Sequence, residues 1–514
     1  MFWCGSRILS ALLILLGLYV RLPWKVLGLY CLFLLPDFLP KPYAKKVRYG
    51  LLGVVLLVLA WVFLPAKPDP RWKPYALEDQ IRTWRQAQEI PDSENAAVLY
   101  RDLLAPKDWE AMRTQLNRLD PKSAAVRHPW RRGDFPELAD WLKENESVIE
   151  QLQAAAEYEK CWFGLQPQWA QTSNWDSVSN LRTAAGILLR SCTLDLAEGR
   201  TEPALQKLYS AAQLSSHLRQ QQMLLSLLTS LRLNETICEV LKFQIIEGAV
   251  QPEQDERIQK ILEKMDISWT RQWSAVMEFE KLTAKQMWAA LYEVNEQGRT
   301  RLKRNGNAVL PVPDSIRQNR QSPTYLELVK GRLLFLLMRL FYPGRAELLF
   351  QEIDGIFDPI IERGLHPERG IALSEKDIVP RFEFNVQFIL KLLHETSQGV
   401  YWNIAESYLR HQSQRRSVDL CRALRQVKEQ HQTWPPDLDA CRPYAPSEEI
   451  FTDPLSGNSY VYQRNETGFR LYSKGRNGID DGGVYQRRLD RKTARTVVEK
   501  DDIPLWPVPE DGCL

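Results

Sequence analysis

The sequence predicts a mainly α protein of three unlike parts: an N-terminal transmembrane hairpin, an irregular helical body of αα-hairpins, and a small α+β module at the C-terminus. Three observations carry that expectation. Apolar runs fill 8–20, 26–35 and 49–64. Residues 75–410 repeat apolar side chains at helical spacing. Residues 451–483 break into short strand signals separated by turn residues. The chain therefore divides into the hairpin over 1–65, a Pro-rich linker over 66–74, the helical body over 75–410 and the C-terminal module over 411–514.

Each apolar run is shorter than the about 20 residues an untilted helix needs to cross hydrocarbon. Trp3, Trp24, Tyr43, Tyr49 and Trp61 flank them as interfacial anchors that would extend the spans. A secretory signal peptide fits less well, because no small-residue cleavage site follows Val20 and a second apolar run comes soon after. Lys41, Lys45, Lys46 and Arg48 precede the last run, while Lys67, Arg71 and Lys73 follow it. The positive-inside rule thus slightly favours an internal loop at 41–48 and a body outside the cytoplasm. Pro65, Pro68, Pro70 and Pro74 make a stiff tether from membrane to body.

In the body, Asp92-Ser93 is expected to cap a helix carrying Ala96, Leu99, Tyr100 and Leu103, with Pro106 stopping it. Pro136 opens another. Leu181, Ala185, Leu188, Cys192 and Leu196 give the clearest stripe, Gly199 ends it, and Thr201-Glu202-Pro203 starts the partner helix. This αα-hairpin is similar to one tetratricopeptide unit, but no second copy follows at that period. Arg299 to Pro323 reads as a basic, solvated loop. The apolar stretch 333–341 is too short and too charged for a further span. Trp162, Trp169 and Trp175 read as packing at a helix seam, with a ligand-facing aromatic patch as the sharper reading.

Chemistry is sparse in the local motifs. Net charge is +3 with 25% charged residues, so nothing draws the whole chain to nucleic acid. Eight cysteines lie scattered without paired spacing. His394-Glu395 lacks the second histidine of a zinc helix, and no nucleophile elbow, phosphate loop or dinucleotide fingerprint occurs.

The most patterned stretch is 451–483. Asp453-Pro454 and Ser456-Gly457-Asn458 are turn chemistry, Tyr460-Val461-Tyr462 a short strand, and 465–468 a hairpin connection. Phe469 to Tyr472 returns, with Phe469 and Leu471 on one face. Gly475, Gly478, Gly482 and Gly483 then surround Asn477, Asp480 and Asp481, a backbone folded around side-chain oxygens. A helix near 417–430 leads into this through His431-Gln432-Thr433-Trp434-Pro435-Pro436.

That order of helix, turn, Asp-Pro hairpin and Asp-rich ending resembles the C-terminal half of the type II secretion major pseudopilin. It is also similar to a group of bacterial membrane-anchored helical proteins with the same ending. The resemblance covers roughly the last fifth of the chain. It implies that Asp480 and Asp481, with Asn477 as a looser match, bind calcium; a plain Gly/Asp turn with both carboxylates solvated is the other reading. Carboxylates and backbone carbonyls in a flexible loop suit that ion. Ser10 stands where a pseudopilin has glutamate after its Gly cleavage site, here Gly5, so filament assembly is not implied. Outside the cytoplasm Cys421 and Cys441, which flank the helix and turn, are able to bridge; buried thiols are the alternative.

The expected function is a non-enzymatic, membrane-tethered scaffold or binding protein of a bacterial cell envelope. Its body lies outside the cytoplasm, with an envelope or secretion-related protein as partner. The alternative is an extracytoplasmic hydrolase or lipid-handling enzyme with its site in a helical cleft.

Overall fold

The computed structural model describes residues 77–104, 108–165, 167, 172–248, 252–289, 292–294, 300–302, 346–369, 384–466, 468–490 and 495–508. The three apolar runs, the Pro-rich linker and residues 303–345 lie outside these. Among the described residues no helix is long and apolar enough to cross a membrane. The fold is mainly helical, as the sequence predicts.

The body starts with α1 (Leu77–Gln86) and α2 (Ala97–Leu104). Neither Asp92 nor Ser93 caps α2; they lie in or beside a single 3₁₀ turn, Asp92–Glu94. The cap is Asn95, whose Oδ1 accepts from the Ala97 N–H at 3.1 Å and the Trp162 N–H at 2.9 Å. Two hydrogen bonds to one buried amide oxygen outweigh the local Asp/Ser signal.

Next come α3 (Asp108–Leu119), the single turn α4 (Ala124–Arg127), α5 (Pro136–Glu144) and α6 (Glu146–Ala155). Pro136 opens α5 as expected, where its missing N–H costs nothing. The predicted αα-hairpin is α7 (Thr172–Ala197) with α8 (Thr201–Gln220). Gly199 joins them at φ 78°, a left-handed turn that glycine takes without strain. Leu181, Ala185, Leu188 and Cys192 are all buried. The helices α9 (Leu224–Glu247), α10 (Pro252–Met265) and α11 (Trp269–Ala289) follow. A small hairpin, β1 (Tyr292–Val294) and β2 (Thr300–Leu302), comes next. The helical set closes with α12 (Ala346–Gly364) and α13 (Phe384–His431).

The helix α9 is the central post, packed by α7, α8, α11 and α13. Covered on most of its circumference, it also buries polar side chains, among them Ser226, Ser230, Asn234, Glu239 and Lys242. Two apolar cores result. The larger joins α2 to α10 with the C-terminal half of α13 and the strands beyond; the smaller joins α1, α11, α12, the first two turns of α9 and Ile404 and Ala405 of α13. In the smaller core Trp269 and Trp273 donate from Nε1 to the carbonyls of Gly364 and Ile361 at 2.6 and 3.0 Å. A Cβ at Gly364 would lie 2.0 Å from the Trp273 ring, so only glycine lets the helix end approach it.

The C-terminal module holds an antiparallel sheet in the order β3 (Val461–Arg464), β4 (Phe469–Ser473), β7 (Ile503–Trp506). A separate hairpin pairs β5 (Tyr485–Asp490) with β6 (Arg495–Asp501). The return strand is as predicted, with Phe469 and Leu471 buried and Arg470 exposed between them. The boundary expected between 410 and 411 falls inside α13, which runs through it without a break. The module and body share the larger core, and polar pins reinforce it. Lys242 of α9 donates to Leu505 O at 2.6 Å and Gln414 Oε1 at 2.7 Å, Arg410 donates to Tyr485 OH at 2.8 Å, and Phe243 meets Trp506 edge-on. Cys421 and Cys441 are buried free thiols, each pushed up to about 12 by burial.

Candidate functional site

Two places gather polar groups that could hold a ligand. The first is the aspartate-rich corner that the sequence singles out. It stands on Asp453, whose buried carboxylate is the hub of the module. Its Oδ2 accepts from Ser456 Oγ and Ser473 Oγ, both at 2.7 Å, and its Oδ1 from the Leu455 N–H at 3.2 Å. Ser413 of α13 lies 3.3 Å from the same Oδ1. The Asp-Pro turn is therefore a clamp between helix, turn and β4.

Beyond β4 the chain doubles back through 474–483. Gly475, at φ +62°, is so close to β6 that a Cβ would sit 2.1 Å from Asp501 O. The three predicted ligand residues are near one another, and each already has protein donors. Asn477 Oδ1 accepts from the Ile479 N–H at 2.7 Å. Asp480 Oδ1 accepts from Tyr472 OH and the Gly482 N–H, both at 3.0 Å. The Gly482 N–H, then the Tyr472 hydroxyl, hold its carboxyl below the usual range. Asp481 Oδ2 accepts from the Asp501 N–H at 3.0 Å.

The sequence reading did not reach two further aspartates that complete the corner. Asp501 Oδ2 accepts from the Arg476 and Asn477 N–H groups at 2.7 and 3.2 Å. Asp502 is fully buried; its Oδ2 accepts from the Gly483 N–H at 2.7 Å, while its Oδ1 has no hydrogen-bond partner. Burial raises the Asp502 carboxyl, and the Asp480 and Asp481 charges raise it further, against the Gly483 N–H. Among the described residues, no three His, Cys, Asp or Glu side chains stand close enough to hold a metal by themselves. Backbone carbonyls and waters, which calcium accepts, would have to complete any shell around the orphan oxygen. Asp501 and Asp502 could have been suspected only from an acidic pair wedged between two strand signals.

The second place has no sequence motif. A cavity of about 540 Å³ opens between α3, α4, α7 and α9. Five arginines line it, namely Arg113, Arg127, Arg182, Arg190 and Arg232, over an apolar floor that includes Leu116, Leu189 and Leu228. Arg190 is buried against Asp120 at 3.0 Å and also donates to Gly186 O at 3.0 Å. Burial lowers the Arg190 pKa and Asp120 opposes that. Arg232 pairs with Glu235 at 2.7 Å and Arg127 with Glu239 at 3.5 Å. The residues come from positions 113 to 232, so only the tertiary fold brings them together.

No known protein family, characterised protein or solved structure matches the chain.

Proposed function

We propose that the protein is a membrane-tethered scaffold or binding protein of the bacterial envelope, with its body outside the cytoplasm and calcium as a structural ion of its C-terminal module. One observation carries the scaffold reading. The helical body and the C-terminal module share a core and are pinned across it by Lys242, Arg410 and Asp453. Such a unit presents a surface of fixed shape to a partner, at the end of a Pro-rich tether. The calcium reading is supported by the orphan Asp502 Oδ1 in a corner with Asp480 and Asp481. A divalent cation there would offset three neighbouring carboxylates that otherwise repel.

The cavity's chemistry favours binding over hydrolysis, because its described lining holds arginines, hydroxyls and apolar side chains but no Asp, Glu or His. Topology gives the direct test. Reporters active on only one side of the membrane are fused after Lys73 and after Leu514. Both are expected to report from outside, and a cytoplasmic signal from both would overturn the placement.

A further inference from the structure

We propose that the arginine-lined cavity between α3, α4, α7 and α9 binds a phosphate monoester carrying an apolar body. The inference goes beyond the scaffold reading and holds whichever side of a membrane the body faces. Charge is the first argument. Of the five guanidiniums, those of Arg127, Arg190 and Arg232 each face a carboxylate. Two are left over. Arg113 donates to Ser179 Oγ at 2.6 Å, and its nearest carboxylate, the largely exposed Glu110, is 4.0 Å away. Arg182 has no ion pair or hydrogen bond among the described residues, and it is exposed at the rim. A phosphate monoester carries about −1.5 to −2 charge and three strong acceptor oxygens. That matches the unpaired Arg182 guanidinium together with Arg113, whose one carboxylate neighbour is distant and largely exposed.

Placement is the second argument. Ser179, Arg182, Gly186 and Arg190 follow one another along a single face of α7. Ser179 holds Arg113 one turn from Arg182, so the two guanidiniums reach the same mouth from α3 and α7. Planar guanidiniums suit phosphate because they donate in pairs. Gly186 keeps the floor low, since a Cβ there would stand 3.0 Å from Arg190 Nη1. The third argument is the lining. Leu116, Val126, Leu189, Leu228 and Leu233 offer apolar surface that an inorganic anion would leave unfilled. The volume is in the range of small-molecule sites.

A lipid phosphate headgroup and a soluble phosphorylated molecule share this chemistry. Calorimetry on the full chain in neutral detergent separates them, with dihexanoyl phosphatidate, phenyl phosphate and dihexanoyl phosphatidylcholine as probes. Saturable binding of phosphatidate alone assigns a lipid, and binding of phenyl phosphate assigns a soluble ester; phosphatidylcholine is expected not to bind. Arg113→Ala and Arg182→Ala should each weaken binding about ten- to hundredfold. Both side chains reach solvent, so the ligand-free melting temperature should stay unchanged. No saturable binding of either ester, equal binding of phosphatidylcholine, or affinity indifferent to both substitutions overturns the proposal.

Discussion

The aspartate corner and the arginine cavity place charge by opposite means. In the corner, two short stretches, 477–481 and 501–502, supply acceptors, and backbone N–H groups take one oxygen of each side chain; Asp502 Oδ1 is the buried oxygen left without a partner. In the cavity, four segments far apart in sequence supply donors, and four of the five have a carboxylate within 4.0 Å, the Arg113 pair being the longest and most exposed. A local motif thus marks a place where the chain binds itself. Ligand-binding capacity survives where tertiary packing leaves charges uncompensated.

The largest effect should come from the cavity wall. Asp120→Ala leaves the buried Arg190 cation without its partner, and loss of one member of a buried pair costs about 3–5 kcal/mol. Chemical denaturation should show it, and a loss under about 1 kcal/mol would mean that water solvates Arg190. On the other side of the comparison, Asp453→Ala removes the hub of the corner. It strands Ser413, Ser456 and Ser473 donors, a loss of about 3 kcal/mol. Because module and body share a core, circular dichroism should record one transition. Two separate transitions would show the regions to be independent.

A pH titration probes the interior between them. His217 is buried, with Nε2 2.7 Å from Tyr158 O and Nδ1 3.0 Å from Tyr100 OH. Burial, partly offset by the Tyr158 carbonyl, pushes its pKa down to about 4. The unfolded chain, with a histidine near 6.5, binds that proton first, so stability is full above 6.5 and falls as pH drops towards 4. The loss attached to His217 is about 3 kcal/mol. His411, also buried and pushed down to about 3, contributes in the same direction, so His217→Gln should reduce the slope over that window without removing it; an unchanged slope would assign it elsewhere. The smallest effect concerns the corner itself. Millimolar calcium should stabilise the full chain by about 1–2 kcal/mol relative to chelator, as for a weak extracellular-type site. Asp502→Asn should abolish that difference; equal melting in calcium and chelator would remove the ion from the corner.

Much of the fold was legible because it is written in short range. The stripe from Leu181 to Cys192, Gly199 as a stop and Pro136 as a start each act within a turn or two, and the structure follows them. So does the hairpin around 465–468. What escaped is long-range. Asn95 replaces the Asp92-Ser93 cap because Trp162, distant in sequence, shares its amide. The division placed at 410 falls within α13, which is buried on both sides of that position. The predicted site was half legible: Asn477, Asp480 and Asp481 are gathered, but Asp502 arrives from the next hairpin. The cavity arginines carry no local signal, since any one of them alone reads as a solvated helix face.

The pin between Lys242 and Leu505 O bears on how the chain is made. A ribosome completes α9 long before residue 505 emerges. Until then the Lys242 ammonium, fully buried in the finished fold, lacks the backbone oxygen that holds it there. A product truncated before 503 would carry every helix described above and still leave that charge short of an acceptor at the centre of its main core. Loss of one partner from a buried charge is costly, so a chain truncated there should be less stable than the full chain. The last strand therefore brings the second of the two acceptors that Lys242 has in the finished core, beside Gln414 Oε1.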